Sequence, residues 1–523
     1  MFRLFLTTAA LAVTTGAAMA DYQLTILHTN DFHARFEPIS GFDSTCGEQD
    51  ATEGKCFGGS ARLVTAIEEA KARSNNWVLL DGGDQFQGTL FYTYYKGAVS
   101  AEMMNKMGYT AMTVGNHEFD DGPEVLRGFV DTINFPILMS NADVSAEPLL
   151  SDQIQKSTII EQGGEKIGLI GLTPEDTDEL ASPGPNVTFS DPVAAVQAEV
   201  DKLTAEGVNK IIVLSHSGMV VDTMVAEAVQ GIDVIVGGHD NTLLSNTIEG
   251  AKGPYPTMVG KTAIVQAYAY GKFLGELNVT FDDAGEVISA TGEPIILDNS
   301  VAEEQATKDR ITELAQPLDE IRNKVVANTA AAIEGSRDVC RVMECQMGNL
   351  VADAMLDRVK DQGVTVALAN SGGLRASIDA GEVTMGEVLT VLPFQNTLST
   401  FEISGATLKD ALENSVSQVE EVAGRFLQVA GIKYVWDPAA AAGSRIVSVE
   451  VQGTDGTWAP LDPAATYLAV SNNFVRNGGD GFAMFVDAAN AYDYGPDLAD
   501  VTAEFMAKSA DYQPYTDGRI STK

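Results

Sequence analysis

The stretch Thr113-Val114-Gly115-Asn116-His117-Glu118-Phe119-Asp120 brings an amide, an imidazole and a carboxylate to the end of an apolar run. Asn116 can give a carbonyl oxygen to a metal, and His117 can hold or donate a proton. Asp120, three residues on, can accept the other ring N–H and fix the tautomer. Alone, the stretch reads equally well as a helix start with Asn116 as its N-cap. Four other apolar runs end in the same style. Residues 24–29 lead into Asn30-Asp31-Phe32-His33, and residues 77–80 into Asp81-Gly82-Gly83-Asp84. Residues 211–214 lead into Ser215-His216, and residues 233–236 into Gly237-Gly238-His239-Asp240-Asn241.

These runs have the length and bulk of buried strands, so five strands are expected to end in a residue able to bind a metal. In layered α/β sheets, ligands gather beyond the carboxyl ends of the strands. The chain has five histidines, and His33, His117, His216 and His239 all stand at those exits. His28 lies inside the first run and is expected to be packed there. Around Asp84, glycines allow the backbone to approach a ligand closely. Residues 166–172, 266–275 and 277–281 complete the expected strands of a first domain, and Leu63, Ile67 and Ala70 mark a helix.

With 523 residues, the chain is too long for one core. Its 33 Lys+Arg against 73 Asp+Glu give a net charge of −40, which argues against nucleic-acid and anionic-membrane partners. Residues 1–20 read as an export signal: Arg3, an apolar core too short to span a bilayer, and Ala18-Met19-Ala20 before Asp21. No cysteine follows the cleavage site and the C-terminus is polar, so no membrane anchor is expected. An exported chain with four cysteines suggests two disulfides. Proximity favours Cys46–Cys56 and Cys340–Cys345; one metal site using all four thiolates is the alternative.

Residues 301–328 carry Ile311, Leu314, Leu318, Ile321 and Val325 at helical spacing, which predicts an amphipathic linker helix with a kink or break at Pro317. The second half has another style. A helix is expected through Val351, Ala354 and Met355, and another over residues 408–416. Asn370-Ser371-Gly372-Gly373-Leu374-Arg375 follows one strand, and Asn477-Gly478-Gly479-Asp480-Gly481-Phe482 forms a second glycine-rich loop. Arginines with Phe394, Phe474 and acceptor side chains suit a nucleotide: guanidinium groups pair with phosphate, and aromatic faces stack a base.

At this point the residues resemble a family. Asp31-x-His33, Gly83-Asp84, Gly115-Asn116-His117-Glu118, Ser215-His216 and Gly238-His239, in this order, resemble the calcineurin-like metallophosphoesterases. Asn370-x-Gly-Gly-Leu-Arg375 and Asn477-Gly-Gly-Asp480-Gly-Phe482 look like the C-terminal domain of 5′-nucleotidases, closest to the bacterial periplasmic and animal ecto-enzymes. The resemblance implies an α/β fold: a four-layer α/β/β/α sandwich over residues 21–300, a helical connector over 301–328, and an α+β nucleotide-binding domain over 329–523. It also implies two divalent ions, zinc or manganese. One would be held by Asp31, His33 and Asp84 with Asn241 nearby, the other by Asp84, Asn116, His216 and His239. Where related phosphoesterases often carry a further His, this chain has Asn241.

His117 with Asp120 resembles the catalytic dyad of the family. The ions would make hydroxide available near neutral pH for in-line attack on phosphorus. Phe394 and Phe474 would flank the base, with Asn370, Arg375 and Asp480 on the nucleoside and Arg341 toward the phosphate or ribose. Cys46, Cys56, Cys340 and Cys345 also look like disulfide positions of the animal enzyme. The expected activity is release of phosphate from nucleoside 5′-monophosphates in the periplasm or outside the cell. UDP-sugars or 2′,3′-cyclic nucleotides are alternative substrates. A sulfur-oxidation hydrolase fits less well because the nucleoside-pocket residues are present, and a non-catalytic binding protein would not require His117 and Asp120. The sequence carries no signature of an oligomeric state.

Overall fold

A computed structural model describes residues 21–523 except 42, 44, 493 and 494. The export signal expected over residues 1–20 lies outside the described residues. The first half is built on two six-stranded sheets. In one, the order is Val287–Ile296, Phe273–Phe281, Tyr22–Thr29, Trp77–Asp81, Ala111–Thr113, Ile137–Leu138. In the other, it is Thr257–Val259, Thr262–Val265, Val234–Val236, Ile211–Ser215, Glu165–Leu172, Ser157–Gln162. The strands that carry candidate ligands run parallel to their neighbours, Tyr22–Thr29 to Trp77–Asp81 and Ile211–Ser215 to Val234–Val236. Their exits therefore lie at one edge.

Alternation along each strand sorts the side chains into layers. Leu24, Ile26, Val78 and Leu80 of the first sheet meet Leu169, Ile212, Leu214 and Val236 of the second in one buried core. On the outer side of the first sheet, Leu27, Leu79 and Met112 pack against helices Ser60–Arg73 and Ala98–Met107. On the outer side of the second, Ile170, Val213 and Ile235 pack against Pro192–Ala205 and Gly218–Ala228. The result is four layers, α/β/β/α. Both faces of each sheet are covered, which is why the strands read as continuous apolar runs.

The second half has separate cores. A five-stranded mixed sheet (Leu427–Ala430, Val366–Asn370, Thr466–Asn472, Leu398–Ser404, Ala489–Tyr492) carries helix Gln346–Val359 on one face and Gly405–Ser415 on the other. A four-stranded sheet extends it. Both disulfides are present, Cys46–Cys56 and Cys340–Cys345, and no described cysteine is free, so the four-thiolate alternative falls away. No helix among the described residues is long and apolar enough to cross a membrane.

Two expectations need correction. Residues 266–275 are not one strand. Thr262–Val265 is a strand, a loop follows, and Phe273 opens the next. The loop's aromatics mimic a strand in sequence because they are needed near the site, where Tyr270 packs on His33 with ring centroids 5.8 Å apart. Residues 301–328 are likewise not one helix. Gln305–Ala315 is helical and buries Ile311 and Leu314 on the first half. Pro317 then sits in a tight turn, Asp319–Arg322 makes one more short helix, and Val325–Thr329 is a strand paired with Gly381–Thr384. Proline cannot donate the helix hydrogen bond, and the partner strand claims the residues beyond it.

Candidate active site

Five strand exits converge on Asp84. His216 Nε2 stands 2.9 Å from Asp84 Oδ2 and 3.9 Å from Asp31 Oδ1. His33 Nε2 stands 3.8 Å from Asp84 Oδ2 and 3.9 Å from Asp31 Oδ1. His239 donates from Nδ1 to Asn116 Oδ1 at 3.0 Å. Two groups bring their ligand atoms close enough to hold an ion: His33, Asp84 and His117, and Asp84, His216 and His239. Asp84 belongs to both. The second contains three of the four residues expected for one ion. The first contains His117 where Asp31 was expected. Asn241 lies to the side, its amide donating to the Tyr270 hydroxyl at 3.5 Å.

The backbone at these positions is unusual. Asp31, His33, Asp84, His239 and Asn241 all have positive φ, between 50° and 76°. That region is disfavoured for most side chains but tolerated by Asp, Asn and His. The fit between adjacent exits is equally tight: a Cβ on Gly115 would lie 2.2 Å from Asp84 Oδ1.

Hydrogen bonds fix which ring nitrogens face the centre. His216 Nδ1 donates to the Gly82 carbonyl at 2.6 Å, and His33 Nδ1 donates to the Phe86 carbonyl at 3.0 Å. Each ring therefore turns its Nε2 inward, the nitrogen left to hold a proton or a cation. Asp31 Oδ1 and His216 Nε2, which face one another, and Asn241 Oδ1 to the side are buried without a hydrogen-bond partner. A set of lone pairs turned on one another is the donor set a cation accepts, and mixed nitrogen and oxygen donors suit a divalent transition metal. The local field agrees. Burial opposes charge on His216, yet Asp84 and Asp31 outweigh it and push that imidazole up to about 10. Positive charge is favoured at this point.

His28, in contrast, is packed inside its strand. Its Nε2 shares a 2.8 Å hydrogen bond with the Tyr255 hydroxyl, and burial pulls it down to about 3.

His117 donates from Nδ1 to Asp120 at 2.7 Å, and its Nε2 lies 4.0 Å from Asp84 Oδ2. Burial opposes charge on this ring too, but Asp120 and Asp84 raise its pKa. Phe394 of the second half stacks on it, with centroids 5.5 Å apart and planes 27° apart. Arg375 reaches from the same side, donating to His33 Nε2 at 3.1 Å.

Beyond them opens a cleft of about 960 Å³ between the halves, lined by Asp84, Asn116, His117 and His239 on one wall and Arg341, Asn370, Arg375, Phe394, Phe474 and Asp480 on the other. Asn370 donates to Asp480 at 2.6 Å and accepts from Asn472 at 2.8 Å, which fixes its amide orientation. All six residues of the second half expected to bind the nucleotide line this cleft.

The residues 24–242 match the model of the calcineurin-like phosphoesterases, and residues 325–487 match that of the 5′-nucleotidase C-terminal domain. A 5′-nucleotidase of Diplobatis ommata is 39% identical over 96% of this chain and 90% of its own length. The chain belongs to the 5′-nucleotidase family. A human 5′-nucleotidase in this family is 38% identical over 98% of this chain and 93% of its own length. A solved family structure, a 5′-nucleotidase precursor from Thermus thermophilus, superposes with a TM-score of 0.91 at 40% identity, covering 96% of this chain and 99% of that one. As a family member, the protein is a metal-dependent phosphoric monoester hydrolase.

The structure adds residues that the sequence reading passed over. Arg337 and Arg425 line the same cleft. Arg337 sits one helical turn before Arg341, and that spacing was the available signal. Arg425 lies 3.6 Å from Glu179 of the first half, an ion pair across the cleft that no local pattern announces. In the sequence Glu118 stands out only as part of its motif; in the structure its carboxylate is fully buried.

Proposed function

We propose that the protein hydrolyses nucleoside 5′-monophosphates to nucleoside and phosphate, at two divalent ions, zinc or manganese, sharing Asp84. Asp31 and His33 with Asn241 nearby would complete one site, and Asn116, His216 and His239 the other. When bound, the ions supply Lewis acidity and a hydroxide near neutral pH. His117, oriented by Asp120, stabilises charge on the phosphoryl oxygens and serves the proton transfer. Phe394 and Phe474 flank the base, Asn370 and Asp480 bind the nucleoside, and Arg341 and Arg375 take the anionic end. In this reading residues 21–300 are the catalytic domain and 329–523 the substrate domain, joined by the linker. Relatives named as snake venom enzymes support an exported protein.

One observation carries the reading: the catalytic pair and the nucleoside-type residues line a single cleft, with Phe394 stacked on His117. Hydrolysis of UDP-sugars is the second reading. Arg337 favours it, as a further cation suited to a second phosphate.

Hydrolysis of AMP, ADP, UDP-glucose and 2′,3′-cyclic AMP, read by chromatography of the nucleoside, nucleotide, sugar phosphate and free phosphate formed, tests both, with added Mn²⁺ or Zn²⁺, after chelation, and beside His117→Ala. AMP is expected to be the best ester, with activity abolished by chelation and lowered about 10²- to 10⁴-fold by the substitution. Preference for UDP-glucose would establish the second reading. Inertness toward all four with metal bound would overturn both.

A further inference from the structure

The exits of strands Trp77–Asp81 and Ala111–Thr113 are bolted together by one side chain. Glu118 Oε2 accepts the backbone N–H of Asp84 at 3.0 Å and of Gly115 at 2.7 Å. Its Oε1 accepts the N–H of Gln85 at 2.8 Å and of Phe86 at 3.2 Å. A carboxylate offers about four lone-pair directions, and four amides fill them. Among the described residues Glu118 has no ion-pair partner; four backbone dipoles hold it, in full burial.

The segment it grips needs holding. Asp84 and Gln87 have positive φ, a strained backbone for non-glycine residues that persists only where its surroundings fix it, and Gly83 and Gly88 beside them adopt positive φ freely. Two further contacts support the grip. Asp84 Oδ1 accepts the His117 N–H at 3.0 Å, and Asp81 Oδ1 accepts the Gly83 N–H at 3.0 Å. The shared ligand Asp84 thus has both its backbone and its carboxylate direction set by hydrogen bonds.

We propose that Glu118 is the positioning residue of the metal centre: it holds Asp84 in its ligating geometry before any ion arrives. The inference rests on Asp84 being a metal ligand, as proposed above. Glutamine at 118 keeps the volume but turns one acceptor into a donor facing backbone N–H groups. In Glu118→Gln the Mn²⁺ dissociation constant, measured by calorimetry on the metal-stripped full chain, is expected to rise at least tenfold. The KM for AMP at saturating Mn²⁺ is expected to stay within twofold. A merely structural role would lower the melting temperature and leave Mn²⁺ affinity unchanged, and that result would overturn the proposal.

The wild type gives a second test that needs no variant to fold. Hydrogen exchange on the metal-stripped protein should leave the amides of Asp84, Gln85, Phe86 and Gly115 protected. Exchange at the rate of open loops after stripping would show that the ions order the segment, and Glu118 would lose the role. Absence of Mn²⁺ binding by the wild type would instead overturn the ligand reading underneath.

Discussion

On the wall of the cleft formed by the first half, candidate ligands stand at strand exits, in backbone that glycines and buried carboxylates tie to the next exit. On the opposite wall the groups are of another kind: two half-buried phenylalanines, long arginines and an Asn–Asp pair held mainly by one another. The first wall tolerates little displacement, because a Cβ on Gly115 already collides with Asp84. The second works through area and charge, and those change gradually when a side chain is trimmed. Chemistry that stabilises charge at one point needs the first kind of support, and recognition of a flat base needs only the second.

That contrast can be broken experimentally. The largest effect is expected from Gly115→Ala, which forces Asp84 aside. Turnover of AMP and of p-nitrophenyl phosphate should both fall about 10³-fold or more, with metal content reduced by elemental analysis. Asp120→Asn replaces the carboxylate at His117 Nδ1 with a neutral amide, which withdraws its charge and can turn an N–H toward the ring, and leaves the proposed ligands in place. The turnover number should drop about 10- to 100-fold for both esters at unchanged metal content.

Phe394→Ala attacks the other wall. Loss of one stacking face, about 1–3 kcal/mol, should raise the KM for AMP roughly tenfold and barely change that for ribose 5-phosphate, an ester with no aromatic ring. Equal losses on both esters would erase the distinction between the walls. The smallest effect belongs to the Cys340–Cys345 link beside Arg341. Cys340→Ser should cost about 2 kcal/mol and lower the melting temperature by several degrees, with little change in turnover.

Much of the first wall is legible in the sequence. Strands covered on both faces read as apolar runs, so the polar residues that end them stand out, and four of the five histidines do so. The linker was misread because helical spacing through Val325 is a local property. Its strand state comes from pairing with Gly381–Thr384, far along the chain. Residues 266–275 failed similarly, since Tyr268 and Tyr270 have the composition of a strand and the backbone of a turn. Arg337, Arg425 and the grip of Glu118 have meaning only in three dimensions: two gain it from the shared cleft, and the third from amides brought to it by two different strands.

The left-handed backbone at Asp31, His33, Asp84, His239 and Asn241 has an evolutionary consequence. Single-base codon changes lead from both Asp and His to Asn, which accepts the same backbone and can still offer an oxygen. Drift at these positions therefore has a path that spares the fold and only weakens ligation. Changes to β-branched residues have none, because they damage the loop and the donor together. Softened ligands are then the variants expected to accumulate in descendants of such a site.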